Sequence, residues 1–366
     1  MLAKQFKWLS FICCVGVVII HSRSYQTNPN PGGAVLWEQY LVAESLVRFS
    51  VQTFFVISGF WWARKWNGSI FAGYGSLLAK KWKTLVLPYL IWGALGAVLI
   101  LGLTVPCNLV SHRPAWDRSV FAIQGLWPFI DALFGIVSVG PLGDMPFWFL
   151  RQLIFFFVLT PIIAMILKGR VAWPLSLIMI FGGEYLPTIP GSPVMLSWLG
   201  WFVLGAAIGR SKLVEIPFSK FAMALSGAVW IACSVLNTMD MLHVAVCLPP
   251  QGKTVLTGLL ALSGMIFWWE ITFLLSIPST PSTSLNSIQP HSTLSTFSNL
   301  FFIYAFHQFP AQAVISLFNI ATHKAKWATF TSFFLAPILT FLVCELFLRF
   351  LETHAPKTLS IITGGR

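Results

Sequence analysis

The chain has 366 residues, of which 57% are hydrophobic and 9% charged, with a mean hydropathy of +0.79 and a formal net charge of +12. Soluble domains carry roughly 25% charged residues, so the composition excludes an ordinary soluble globule and defines an integral membrane protein. The positive charge does not point to nucleic acid, because the lysines and arginines cluster beside hydrophobic runs, where they signal topology.

The runs are long and continuous and do not alternate at period two, which predicts helices and not a barrel. Ten segments are predicted, near 8–22, 46–63, 84–103, 147–167, 171–186, 196–209, 221–238, 254–277, 299–320 and 327–350. The expected architecture is therefore one all-α polytopic membrane domain of about ten transmembrane helices. Lys4 and Lys7 ahead of the first run resemble the start of a signal peptide, but no small-x-small cleavage site follows, so the run is kept as a retained helix. On this reading Lys4, Lys7, Arg64, Lys65, Lys80, Lys81, Lys83, Lys168, Arg170, Arg210, Lys212, Lys220, Arg349, Lys357 and Arg366 fall on one side of the membrane. Glu38, Glu44, Asp117, Asp131, Asp144, Glu184 and Asp240 fall on the other. The asymmetry predicts that both termini are cytoplasmic.

Residues 104–146 form the longest outer connection. Within it, 120–139 is apolar but interrupted by Gly125, Pro128 and Asp131, and reads as an interfacial or re-entrant segment. Residues 278–298 are rich in Ser, Thr and Pro and nearly uncharged, as a flexible inner loop would be. The six cysteines show no CxxC or Cys/His spacing for a metal. Cys107 and Cys247 share the outer side, where a disulfide is allowed but not required.

Candidate chemistry begins at the end of the first run. An α-helix climbs roughly 20 Å from Trp8 to His21, against a hydrocarbon core about 30 Å thick, so His21 is expected inside the membrane. An ionisable group at that depth is costly and points to function, the alternative being a histidine bonded to a neighbouring helix. Arg23, two residues on, is expected on a different side of the helix. Arg151 falls about one turn into the fourth segment, near the depth of His21, either paired with an outer acid or holding a ligand phosphate or carbonyl. FFVISGF (residues 54–60) sets Ser58 beside Gly59, which suits close helix packing or close ligand approach. The loop 64–83 carries five positive charges and no negative one, read as topology signalling or as a clamp for a phosphate-bearing donor. Tyr304 and His307 lie three apart on one helical face. Glu270 and Glu345 are assigned structural roles with inner bases.

In order along nearly the whole chain, VVIIHS, FFVISGF, LLAKKWKTLVLPYLIW, WFLR with its Trp148 and Arg151, WFVLGAAIGR, IYAFHQ and PKTLSIITGGR resemble the acyltransferase 3 family of bacterial multi-spanning O-acyltransferases. That family often has Arg or Lys eleven residues before its first-helix histidine, where this chain has Ser10, and the basic pair before the third helix stands here as Lys80 and Lys83. The resemblance implies transfer of an acyl group, commonly acetyl, from cytoplasmic acyl-CoA to a hydroxyl of an envelope polysaccharide or glycolipid, in the inner (cytoplasmic) membrane. It implies His21 as the essential catalytic residue, and acyl-CoA as a substrate with no bound cofactor. The expected binding set is Arg151, Tyr304, His307, Ser58, Trp148, Lys80, Lys81 and Lys83. A transporter using the same intramembrane ionisable groups is the competing reading; it would be favoured by inverted repeats, and none is evident.

Overall fold

A computed structural model describes residues 1–24, 33–98, 125–134, 146–169, 171–185, 194–211, 213, 218–277, 299–323 and 325–365. Arg170, Lys212, Arg366, Asp117, Asp144, Cys107, the loop 278–298 and most of the 104–146 connection lie outside these residues. Every element assigned among the described residues is a helix.

The first helix, α1, runs Leu2–His21, so Lys4 and Lys7 ride on its opening turns and His21 is its last residue. The second predicted segment is part of a longer rod: α2 (Gly33–Leu41) passes through a π turn at Val42–Leu46 into α3 (Phe49–Lys65). A short α4 (Tyr74–Lys81) likewise passes through a π turn at Trp82–Val86 into a helical stretch, α5, at 87–98. The connection expected to be interfacial contains a helix, α6 (Leu126–Phe134). Then come α7 (Trp148–Val158), α8 (Thr160–Lys168), α9 (Ala172–Gly182), α10 (Leu196–Arg210), α11 (Lys220–Met241) and α12 (Pro250–Ser276). The chain ends with α13 (Leu300–Phe306), α14 (Gln308–Ala321), α15 (Lys326–His354) and α16 (Pro356–Ile362).

All ten hydrophobic runs are helical as far as they are described, but they do not make ten equal rods. Five helices are long and apolar enough to cross a membrane, and seven spans result if two bent pairs each count as one. The α7–α8 pair bends by 61° and the α13–α14 pair by 47°. Both breaks have a chemical cause. Pro161 follows the first, and Pro310, in the opening turn of α14, has no N–H to give the carbonyl a turn earlier. The helices α9 and α10, at 11 and 15 residues, are shorter than the ~20 a full crossing needs.

Lipid tails are as apolar as leucine, so close backbone packing, not hydrophobicity, draws membrane helices together. The tightest seam joins α3 and α10. A Cβ on Gly59 would strike the Phe202 carbonyl, one on Gly205 the Val56 carbonyl, and one on Gly209 the Phe60 carbonyl. Gly59 of the SGF motif is thus a packing residue. On other sides α3 meets α1, where Gly16 abuts Ser50, and α12, where Gly264 abuts Phe49. On α15, by contrast, Phe330, Phe334, Ile338, Leu342 and Leu346 stay exposed in an i, i+4 stripe, as a lipid-facing surface requires.

Both ends of the chain gather at the stretch around Lys80. Lys7 of α1 borders the same cavity as Lys80 and Lys81. Gly364, with φ of 68°, brings the backbone after α16 onto Thr84, and Trp92 Nε1 donates to the Ile362 carbonyl at 3.0 Å. Of the acids expected to have structural roles, Glu345 pairs with Arg349 at 2.9 Å and Glu270 accepts the Ser219 backbone N–H at 3.2 Å. Cys247 carries a free thiol.

Candidate active site

Two cavities are lined by described residues of the bundle. The larger, about 1080 Å³, is bordered by Lys7, Lys65, Lys80 and Lys81, and is walled further in by Ser10, Ser58 and Leu153. Its volume lies just above the roughly 300–1,000 Å³ of small-molecule sites. The smaller, about 260 Å³, is lined by His21, Arg23, Arg48, Gln52, Gln308 and Gln312, with Trp148 and Trp198 as aromatic walls. Phe54, Phe149 and Tyr304 line both.

The larger cavity lies against the α7–α8 break, with Phe157 and Thr160 in its lining. At that bend the Val158 carbonyl accepts the Tyr74 hydroxyl at 2.8 Å, tying α4 across the opening. Lys81 Nζ sits 3.6 Å from the Phe157 ring centroid, a cation–π contact that holds it at the cavity wall. Lys83, inside the π turn that begins at Trp82, borders neither cavity. A π turn shifts the angular register of the residues around it, which separates Lys83 from its two neighbours.

The smaller cavity is polar at its far end. Glu44, 4% exposed, sits in the π turn at Val42–Leu46 and takes Arg23 on one oxygen and Arg48 on the other, the latter at 2.8 Å. Arg23 therefore does share the histidine's surroundings, through a long side chain that reaches Glu44. Gln52, buried four residues beyond Arg48, leaves its Oε1 without a hydrogen-bond partner.

His307 stands at the α13–α14 bend, fully buried, with its ring 5.1 Å from that of His21. Its Nδ1 lies 2.7 Å from the Tyr304 carbonyl. A carbonyl only accepts, so Nδ1 carries a proton; in the neutral imidazole Nε2 is then an acceptor, and it makes no hydrogen bond. The Tyr304 hydroxyl in turn donates to the Pro146 carbonyl.

The sequence-predicted set thus divides. His21 and Trp148 line the small cavity, Ser58, Lys80 and Lys81 the large one, and Tyr304 both. His307 lines neither cavity and packs its ring against that of His21. Arg151, buried, borders neither cavity and interacts electrostatically with Tyr89 and Asp131. Sequence reasoning passed over Arg48, Gln52, Trp198, Gln308 and Gln312. Two pairs among them, Arg48–Gln52 and Gln308–Gln312, have the i, i+4 spacing of one helix face, and polar groups in apolar runs are a usable signal. No group of three or more possible metal ligands occurs among the described residues.

The described residues thus form a helical membrane bundle in which a basic cavity and a histidine-bearing cavity share the Phe54, Phe149 and Tyr304 side chains. The family comparison specifies the class: the acyltransferase 3 family model, an acyltransferase domain, matches residues 4–349. The chain belongs to that family and is a membrane acyltransferase. No curated protein and no solved structure matches it.

Proposed function

We propose that this protein transfers a short acyl group, acetyl foremost, from cytoplasmic acyl-CoA to a hydroxyl of a cell-envelope polysaccharide or glycolipid, with His21 as general base. The observation that carries this reading is the meeting of the two cavities at Tyr304, basic groups around one and His21 in the other. A thioester is already activated, so the reaction needs a base for the acceptor and donors for the oxyanion. Lys7, Lys65, Lys80 and Lys81 hold the CoA phosphates, and the thin pantetheine arm extends toward Tyr304. The acceptor sugar occupies the smaller cavity, stacked on Trp148 and Trp198, with Gln52 Oε1 accepting from a hydroxyl.

His21 takes the proton of the acceptor hydroxyl as its oxygen attacks the thioester carbonyl. The tetrahedral adduct then expels the CoA thiolate, and the imidazolium returns the proton to sulfur. The Tyr304 phenol, redirected from the Pro146 carbonyl, supplies an oxyanion donor. Arg151 is assigned to the scaffold, through Asp131.

In this reading the protein resides in the cytoplasmic membrane with ten crossings, the bent pairs counting once each and α9 and α10 as short crossings. Both termini are cytoplasmic; the gathering of Lys7 and Gly364 around the Lys80 stretch supports this. Membranes given radiolabelled acetyl-CoA should incorporate label into surface glycan, and His21→Ala membranes with equal protein should not. Label persisting in the variant would remove the histidine base. No label with the unaltered protein, together with glycan lost from the surface of deletion cells, would overturn acyl transfer in favour of transport.

A further inference from the structure

The three aromatic residues that border both cavities form one connected wall. The rings of Phe54 and Phe149 are 6.0 Å apart, and those of Phe149 and Tyr304 are 5.8 Å apart. The wall is braced from behind. Phe55 packs on Phe149 at 4.5 Å, Phe147 and Phe301 flank Tyr304 at 6.3 and 6.2 Å, and the Tyr304 hydroxyl is tied to the Pro146 carbonyl. Phe149 and Tyr304 are buried, and Phe54 is half-buried between the two spaces. Such bracing limits how far the rings can part, so any passage between the two spaces stays narrow.

We infer that Phe54, Phe149 and Tyr304 are an acyl-length selector; the inference rests on the acyl-transfer reading above. The phosphates of the donor stay with the lysines, so the thioester approaches His21 acyl group first and crosses the plane of these rings. Carbons beyond the carbonyl then come to rest on the His21 side, in about 260 Å³ that the acceptor must share. A two-carbon group leaves room for a sugar ring, whereas each added methylene displaces acceptor or presses on the wall. Selectivity follows from the fixed partition, not from a pocket that recognises acetyl.

The test compares acetyl-, butyryl- and octanoyl-CoA as donors, with Phe54→Ala opening the wall and Phe54→Trp narrowing it. Phe54 is the position of choice because it is the least buried of the three. One methylene in an apolar site shifts selection by roughly 10–200-fold. Phe54→Ala should therefore raise the butyryl-to-acetyl ratio by on the order of tenfold or more, and Phe54→Trp should lower it. Ratios between donors are insensitive to how much variant protein inserts, and Phe149→Ala provides an independent opening from the other side of the wall. Transfer with the unaltered ratio in Phe54→Ala and Phe149→Ala would overturn the selector alone. No transfer from any donor by the unaltered protein would overturn the acyl-transfer reading, and the selector with it.

Discussion

The imidazole rings of His21 and His307 face each other at 5.1 Å with planes inclined by 60°, one closing the first helix and the other seated at the bend between α13 and α14. The bend creates this pairing. It turns the Tyr304 carbonyl toward His307 Nδ1, which fixes the proton there and leaves Nε2 as an acceptor with no hydrogen-bond partner. On the acyl-transfer reading proposed above, this Nε2 accepts an N–H of His21 once substrate is bound, and the other His21 nitrogen is then the base. His21→Ala should cost about 10²–10⁴ in turnover, the usual contribution of a general base. His307→Phe, which keeps the ring and removes the acceptor, should cost on the order of 10² in kcat with the acyl-CoA KM little changed, as misorientation does. A purely structural His307 would instead lower folded protein and leave kcat per molecule intact, which quantified reconstitution separates.

The lysines around the larger cavity divide in a way that a general attraction to anionic lipid does not. Lys80 and Lys81 border the cavity and Lys83 does not. Replacing Lys80 and Lys81 by Gln should raise the apparent KM for acyl-CoA, by about threefold for each charge removed, and more at low ionic strength. Lys83→Gln should leave it unchanged. Equal effects at all three positions would return the whole run to topology signalling.

Much of this site was legible because membrane helices make ionisable residues conspicuous. His21, Tyr304, His307, Lys80 and Lys81 were each visible as polar groups beside or within apolar runs, and all but His307 line one or both cavities. What a linear sequence does not carry is azimuth. Arg151 sits at a plausible depth, yet it borders neither cavity and interacts electrostatically with Tyr89 and Asp131. Arg23 was expected on another side of its helix, and its length lets it reach Glu44 all the same. Two π turns, at Val42–Leu46 and Trp82–Val86, add rotations that a uniform helical period does not anticipate, and Glu44 and Lys83 lie within them. The bends at Leu159 and His307 have proline signals beside them, but the angles of 61° and 47° depend on the packing of the half-helices against their neighbours. Hydropathy sees apolar length and not whether a run is broken, so among the described residues five helices qualify as unbroken spans and two more only as bent pairs.

Gly59 and Gly205 provide a test of the scaffold that is independent of chemistry. Each lets its helix lie against a carbonyl of the other, Phe202 and Val56 respectively. Because the obstruction is backbone, neither site relieves itself by moving a side chain. Gly205→Val should part α3 from α10 and cost about 3 kcal/mol or more, read as loss of monodisperse protein on size-exclusion chromatography in detergent. Ser58→Ala, next door but facing the larger cavity, should retain the fold and change only donor kinetics.

Glu44 carries the last prediction, because it ties two cations together beside the smaller cavity. It is 4% exposed, Arg23 is 21% exposed and Arg48 47% exposed, so the three are desolvated to very different extents. Coulomb attraction to the outer Arg48 is weakened by solvent, while Arg23 depends on the carboxylate for much of the hydration it lost. Glu44→Gln keeps the shape and removes the charge. It should destabilise by about 2 kcal/mol, the scale of a hydrogen bond to a charged group, seen as a lower Tm in detergent. Arg48→Gln should cost under about 1 kcal/mol, being the more exposed pair. Since Arg48 lines the cavity with Gln52 and Trp198, its loss should raise the KM for acceptor without altering that for acyl-CoA. If Arg48→Gln instead changed the acyl-CoA KM alone, the small cavity would not be where the acceptor binds.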